Sequence, residues 1–231
     1  MIDYPKILKD IEAIHRDRPR AKHPMWQGLM AGTFNKAQTR EFIFQFGAVP
    51  LYNHGYHGRL YVTCPDAAWR ERIAEVVYEE GTGRLFASGV PHYKLYLRLG
   101  AAFGLTRDEM YNRPLCAGSV AYKAYFEQVC GKSFLEGVSA HMLSGETEFA
   151  LVSGQTGKTM QKKFNLTDEE IAFYTVHDEA DKEHGDIGRE LLEHFAKTED
   201  DVQLVLKTVR EYVGVSYLMY DDILRVMNEA K

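Results

Sequence analysis

The stretch from about Thr167 to Ala196 has no proline and strong helical character. It contains the octet His177-Asp178-Glu179-Ala180-Asp181-Lys182-Glu183-His184. On an α-helix, His177, Asp181 and His184 fall at i, i+4 and i+7 and share one face. Two imidazoles and a carboxylate stacked in this way are half of a metal site. Iron, manganese or zinc chemistry is therefore the first expectation.

The remaining long segments also read as helices. Asp3 to about Asp17 places Ile7, Leu8, Ile11 and Ile14 at three- and four-residue spacing. A short helix follows His23-Pro24, and Thr33-Phe34-Asn35 starts a long aromatic stretch, Lys36 to about Thr63, kinked by Pro50. Pro65-Asp66 opens a helix to about Glu80, stopped by Gly81-Thr82-Gly83. Pro91-His92 begins another, to about Phe103. After Pro114 come helices at about Ser119 to Val129, Ser133 to Phe164, Thr167 to Ala196 and Glu199 to Glu229. Thr167 and Glu170 have capping-box spacing. With no repeat, linker or convincing strand, the expectation is one all-α domain, residues 1–231, of about seven to nine helices.

Composition narrows the function classes. A net charge of −5 and the lack of a basic block argue against nucleic-acid binding. No apolar run is long enough to predict a transmembrane helix. The N-terminus lacks a signal-peptide layout. Cys64, Cys116 and Cys130 are odd in number, widely spaced and without a CxxC pair, which reads as reduced thiols in a cytoplasmic protein.

Dinuclear carboxylate sites in helical bundles draw Glu and His from several facing helices. Three places could complete the site. In Tyr78-Glu79-Glu80-Gly81, periodicity from Ile73 and Val76 slightly favours Glu80 as the inward residue. His92 opens the next helix. In Gly145-Glu146-Thr147-Glu148, apolar neighbours place at least one of Glu146 and Glu148 inward. One glutamate from each pair, with His92, His177, Asp181 and His184, could hold two divalent ions. That donor mixture suits iron or manganese, with open positions for O₂. The aromatic stretch from Phe42 to His57, with Tyr122 and Tyr125, is rich enough to line a pocket. His54 and His57 read as pocket or packing residues.

In this order, Glu-Glu-Gly, His, an inward Glu, then His-x-x-x-Asp-x-x-His, the chain resembles the heme-oxygenase-like diiron oxidases. These are relatives of the chlamydial protein associated with death domains and of the pyrroloquinoline-quinone synthase and TenA-type thiaminase folds. The resemblance implies Glu79, His92, Glu148, His177, Asp181 and His184 as ligands to two iron ions, with manganese admissible in one position. It implies O₂ as co-substrate and a small amino-acid-like or amine substrate that is N-oxygenated, oxidatively decarboxylated or cleaved. An external electron donor and a homodimer are compatible with it. Lys158, ten residues after Glu148, and Tyr122 are the candidate catalytic side chains. The subgroup that forms p-aminobenzoate from its own tyrosine has that tyrosine near the first helix start, where this chain has Trp26, so an external substrate is expected.

Three rivals stand beside this reading: a metal-free quinone-forming oxidase of the same fold, a thiaminase using Cys116 or Cys130, and a non-enzymatic interaction protein.

Overall fold

Helix-start chemistry divides the chain. A computed structural model describes residues 2–230, and the side chains of all of these except 178–185. The first helix, α1 (Tyr4–Asp17), is capped by Asp3, whose carboxylate accepts from the Lys6 N–H. A 3-10 turn (Arg20–Lys22) leads into α2 (Pro24–Ala31). Reciprocal capping boxes start α3 (Lys36–Phe46) at Asn35/Gln38, α7 (Arg107–Asn112) at Thr106/Glu109 and α12 (Glu199–Glu229) at Thr198/Asp201.

The elements between these are α4 (Asn53–Thr63), α5 (Ala67–Thr82), α6 (His92–Ala102), α8 (Ala117–Lys132), α9 (Phe134–Ala140), α10 (Thr147–Phe164) and α11 (Ala172–Phe195). The described residues form no strand, as the sequence predicts, but twelve α-helices where seven to nine are expected.

Two of the extra helices come from breaks in expected ones, and another is the short α7. Around Pro50 the expected long helix does not merely kink: it ends at Phe46 and restarts at Asn53, because proline lacks an N–H and crowds the preceding turn. The expected helix Ser133 to Phe164 is interrupted by a π-helical turn, His141–Glu146, between α9 and α10. Such turns insert a residue's worth of backbone and re-aim the side chains they carry. The Thr167–Glu170 box forms as expected, yet α11 begins only at Ala172.

Helix α10 packs along α11, α8 along α12, and α4 against α5 and α8. The α10–α11 approach is set by Gly157: a Cβ there would lie 2.6 Å from Tyr174 Cβ. Helix α11 also touches α5, α6 and the π-helical turn, so these four elements converge on one region. An aromatic wall closes that region on one side. Trp26 meets Phe42 and Phe46 edge-on, with ring centroids 5.6 and 5.4 Å away, and Phe46 stacks on Phe149 at 5.8 Å. No helix among the described residues is long and apolar enough to cross a membrane.

Candidate metal centre

The last turn of α5 carries Glu79 and Glu80, both buried. Carboxylates at a helix C-terminus oppose the helix dipole and need compensation. The chain supplies it by turning back at Gly83, whose left-handed conformation (φ 65°) brings the next residues over the carboxylates. The backbone N–H groups of Leu85 and Phe86 donate to Glu79 at 2.6 and 3.1 Å. His92, the first residue of α6, lies between the two glutamates. Its Nε2 is 3.1 Å from Glu79 Oε1 and its Nδ1 3.1 Å from Glu80 Oε1.

His177 of α11 completes this group. One donor atom each from Glu80, His92 and His177 lie within 4.8 Å of one another, all buried. His177 Nδ1 is 2.7 Å from the carbonyl oxygen of Phe173. A carbonyl oxygen can only accept, so Nδ1 carries the hydrogen and Nε2 keeps the lone pair a metal needs. Burial, followed by the positive charge of His92, pushes His177 down to about 4, so it is neutral at neutral pH. Burial alone would raise Glu80, but the adjacent His92 outweighs it and holds the carboxyl well below its ordinary range. Burial would likewise lower His92, yet Glu80 and Glu79 raise it to about 9.

A second group forms alongside. His57 of α4 has Nε2 2.9 Å from Glu146 Oε1, and His141 Nδ1 lies 3.3 Å from the same oxygen. The two imidazole rings are 4.1 Å apart, and all three side chains are buried. His141 and Glu146 are the first and last residues of the π-helical turn. Five residues apart, they would sit about 140° apart on a regular α-helix. The wider turn brings them to one side.

The site residues expected from sequence are therefore placed unevenly. His92 and His177 come together. The resemblance points to Glu79 and Glu148, whereas the donor groups contain Glu80 and Glu146. Glu79 has its carboxylate on His92 and the Leu85 and Phe86 amides. Glu148 accepts from the Arg20 backbone N–H at 3.3 Å and lies 3.7 Å from His15 Nδ1. Asp181 and His184 lie outside the described side chains. Tyr122 is buried in the wall of the cavity described next, but Lys158 is exposed on the outer side of α10, beside Gln155 and Thr159. His57, read from sequence as a pocket residue, sits in a donor group, and His54 is exposed. His141 carries no sequence signal, because regular helical spacing separates it from Glu146.

One narrow cavity, about 40 Å³, touches both groups. His141 and Glu146 reach it from one, His177 from the other, and Tyr122, Phe149 and Arg20 are among its walls. Each group offers two imidazoles, one carboxylate and no thiolate. That set fits iron, manganese or catalytic zinc and not a structural zinc site.

A family profile described as iron-containing redox enzyme matches residues 40–217, most of the chain. The chain belongs to this family of iron-containing redox enzymes. Proteins named 4-aminobenzoate synthase are similar to this chain. That of Chlamydia muridarum (strain MoPn / Nigg) is 25% identical over 224 residues, covering 94% of this chain and 89% of the relative. That of Chlamydia trachomatis serovar D is 24% identical over 228 residues, covering 96% and 93%.

Solved structures share the fold at low identity. A TenA homologue from Pseudomonas syringae pv. tomato matches with a TM-score of 0.78 at 12% identity, covering 96% of this chain and 92% of that one. A CADD-like protein of unknown function from Nostoc punctiforme matches with a TM-score of 0.77 at 13% identity, covering 96% and 97%. A domain with a heme oxygenase-like fold from Shewanella denitrificans gives 0.74 at 15% identity, covering 99% and 94%. The all-α heme-oxygenase-like architecture expected from the motifs is thus the architecture of this chain.

Proposed function

We propose that this family member is an O₂-dependent non-heme diiron oxidoreductase acting on a small amino-acid-like or amine substrate. The observation that carries the reading is the pair of buried two-His-one-Glu groups on a shared cavity. Glu80, His92 and His177 would hold one iron and His57, His141 and Glu146 the other. Asp181 and His184 of α11 are retained in the proposal as further ligands. Bound ferrous iron would supply open coordination positions and the electrons with which O₂ is activated.

The chain's own residues prepare that chemistry in three ways. The Phe173 carbonyl orients the His177 ring and keeps Nε2 unprotonated. Glu79, anchored by the Leu85 and Phe86 amides, orients His92. Because His92 is held protonated when no metal is present, metal uptake must expel a proton from it. The Trp26, Phe46 and Phe149 rings give the site an apolar wall. An external electron donor would keep the centre reduced.

A second reading, formation of 4-aminobenzoate, draws support from the names of relatives covering most of the chain. Trp26, fully buried against aromatic rings, and the exposed Lys158 count against a route that consumes this chain's own tyrosine. A thiaminase reading is weaker, since neither Cys116 nor Cys130 lines the cavity and burial pushes the Cys130 thiol up, away from a reactive thiolate.

The test is anaerobic ferrous loading, metal analysis, then O₂ consumption with a panel of amino acids and amines and an assay for 4-aminobenzoate. Absence of iron uptake sinks the proposal. 4-Aminobenzoate formed without added substrate selects the second reading.

A further inference from the structure

We propose that Arg20 is the anchor for a carboxylate group of a small ligand bound in the cavity that both donor groups face. The identification of that ligand as the substrate rests on the oxidase reading; its capture by Arg20 does not.

Arg20 sits in the 3-10 turn between α1 and α2, and its side chain enters the interior with only 5% of the residue exposed. A guanidinium stays protonated inside a protein and needs a counter-charge when removed from water. Its Nη2 donates to the Tyr212 hydroxyl. Its Nε is buried with no hydrogen-bond partner. Glu148 accepts from the Arg20 backbone N–H, and its carboxylate is also a counter-charge for the guanidinium, which leaves Nε still unpartnered. The guanidinium carbon also lies 5.9, 5.8 and 5.7 Å from the ring centroids of Trp26, Phe149 and Tyr220. Ring faces attract a cation but offset only part of the lost hydration.

The space beside this cation belongs to the cavity that His141, Glu146 and His177 also line. A ligand with an anionic head at Arg20 would therefore carry its next atoms toward the donor groups. Three features select a carboxylate. The fork of N–H groups matches a planar two-oxygen head. The cavity, about 40 Å³, is narrow; at roughly 10–15 Å³ per water it admits about three waters or a group of that size. Glu146 on the same cavity disfavours a dianion such as phosphate.

The experiment titrates the full-length protein with sodium acetate and, at matched ionic strength, with acetamide. The readout is the ¹⁵N resonance of the Arg20 Nε–H group, in the metal-free and the anaerobic ferrous-loaded protein. Saturable displacement of that resonance by acetate and none by acetamide is expected. Arg20→Gln should weaken acetate binding by about tenfold or more, with helical circular dichroism and iron content unchanged. Equal response to both probes, or undiminished acetate affinity in Arg20→Gln, overturns the proposal. Should Arg20→Gln not fold, the wild-type resonance alone decides. Acetate capture without iron uptake would sink the oxidase reading and leave the anchor standing. Iron uptake with an unmoved Nε–H resonance would do the reverse.

Discussion

His177 gives its Nδ1 hydrogen to the carbonyl oxygen of Phe173, one turn earlier on α11 and 2.7 Å away. That single bond decides which ring nitrogen of His177 can serve as a ligand beside Glu80 and His92. A helix carbonyl normally accepts only from the backbone four residues on, so its second lone pair is available for this purpose.

The two donor groups make separate contributions. His177→Ala and His57→Ala each remove one imidazole from a different group. We expect bound iron to fall from about two per chain toward one in each variant, as for dinuclear sites with one half broken. Metal analysis after ferrous loading checks this, and wild-type stoichiometry in both variants would refute the two-group assignment.

Within the glutamate pairs, an orienting carboxylate and a ligating one differ in their effect. Glu79→Gln should weaken iron binding by about 10- to 100-fold, the usual effect of losing a group that orients a ligand. Glu80→Gln should weaken it more. Glu146→Gln should likewise exceed Glu148→Gln. Competition against a chelator measures all four, and a reversed order in either pair would move the ligand role to Glu79 or Glu148.

The metal-free protein should be most stable near pH 6.5. His177 is lowered from 6.5 to about 4. Between those values the unfolded chain binds a proton that the folded chain does not, so its contribution is complete above 6.5 and lost as pH falls. His92 is raised from 6.5 to about 9. Its contribution is complete below 6.5 and lost as pH rises through 9. Thermal melts from pH 4 to pH 9 should trace a maximum between the two limbs; a monotonic profile would contradict it.

Gly157→Ala tests the seam that positions His177. The new Cβ would meet Tyr174 Cβ at 2.6 Å, and both atoms are tied to helical backbone. Overpacking of this kind costs about 1–3 kcal/mol, less roughly 1 kcal/mol for alanine's better helix propensity. At about 2–4 °C per kcal/mol for a chain of this size, Tm should fall by a few degrees. An unchanged or raised Tm would show that the helices separate without loss.

Much of this molecule could be read along the chain. Asn35, Asp66, Thr106 and Thr198 cap helices as their residue types require. The order of Glu, His, Glu and His points to the iron-containing family, and of the octet His177 joins a donor group, while Asp181 and His184 lie outside the described side chains. Proline at position 50 signalled a disturbance but not its size, because whether a helix kinks or ends depends on what can accept the displaced turn.

The amino-acid order by itself therefore determined the all-α architecture and most helix starts, and it supplied candidate residue types for the site. Tertiary structure decided which side chains meet. Adjacent residues on a helix point about 100° apart, yet Glu79 and Glu80 are both buried because the returning loop and His92 enclose the end of α5. The π-helical turn joins His141 to Glu146, and packing of α4 adds His57. Arg20 reaches the same cavity from a turn far away in sequence. None of these meetings has a local signal, since each is set by how separate helices pack and not by the spacing within any one of them.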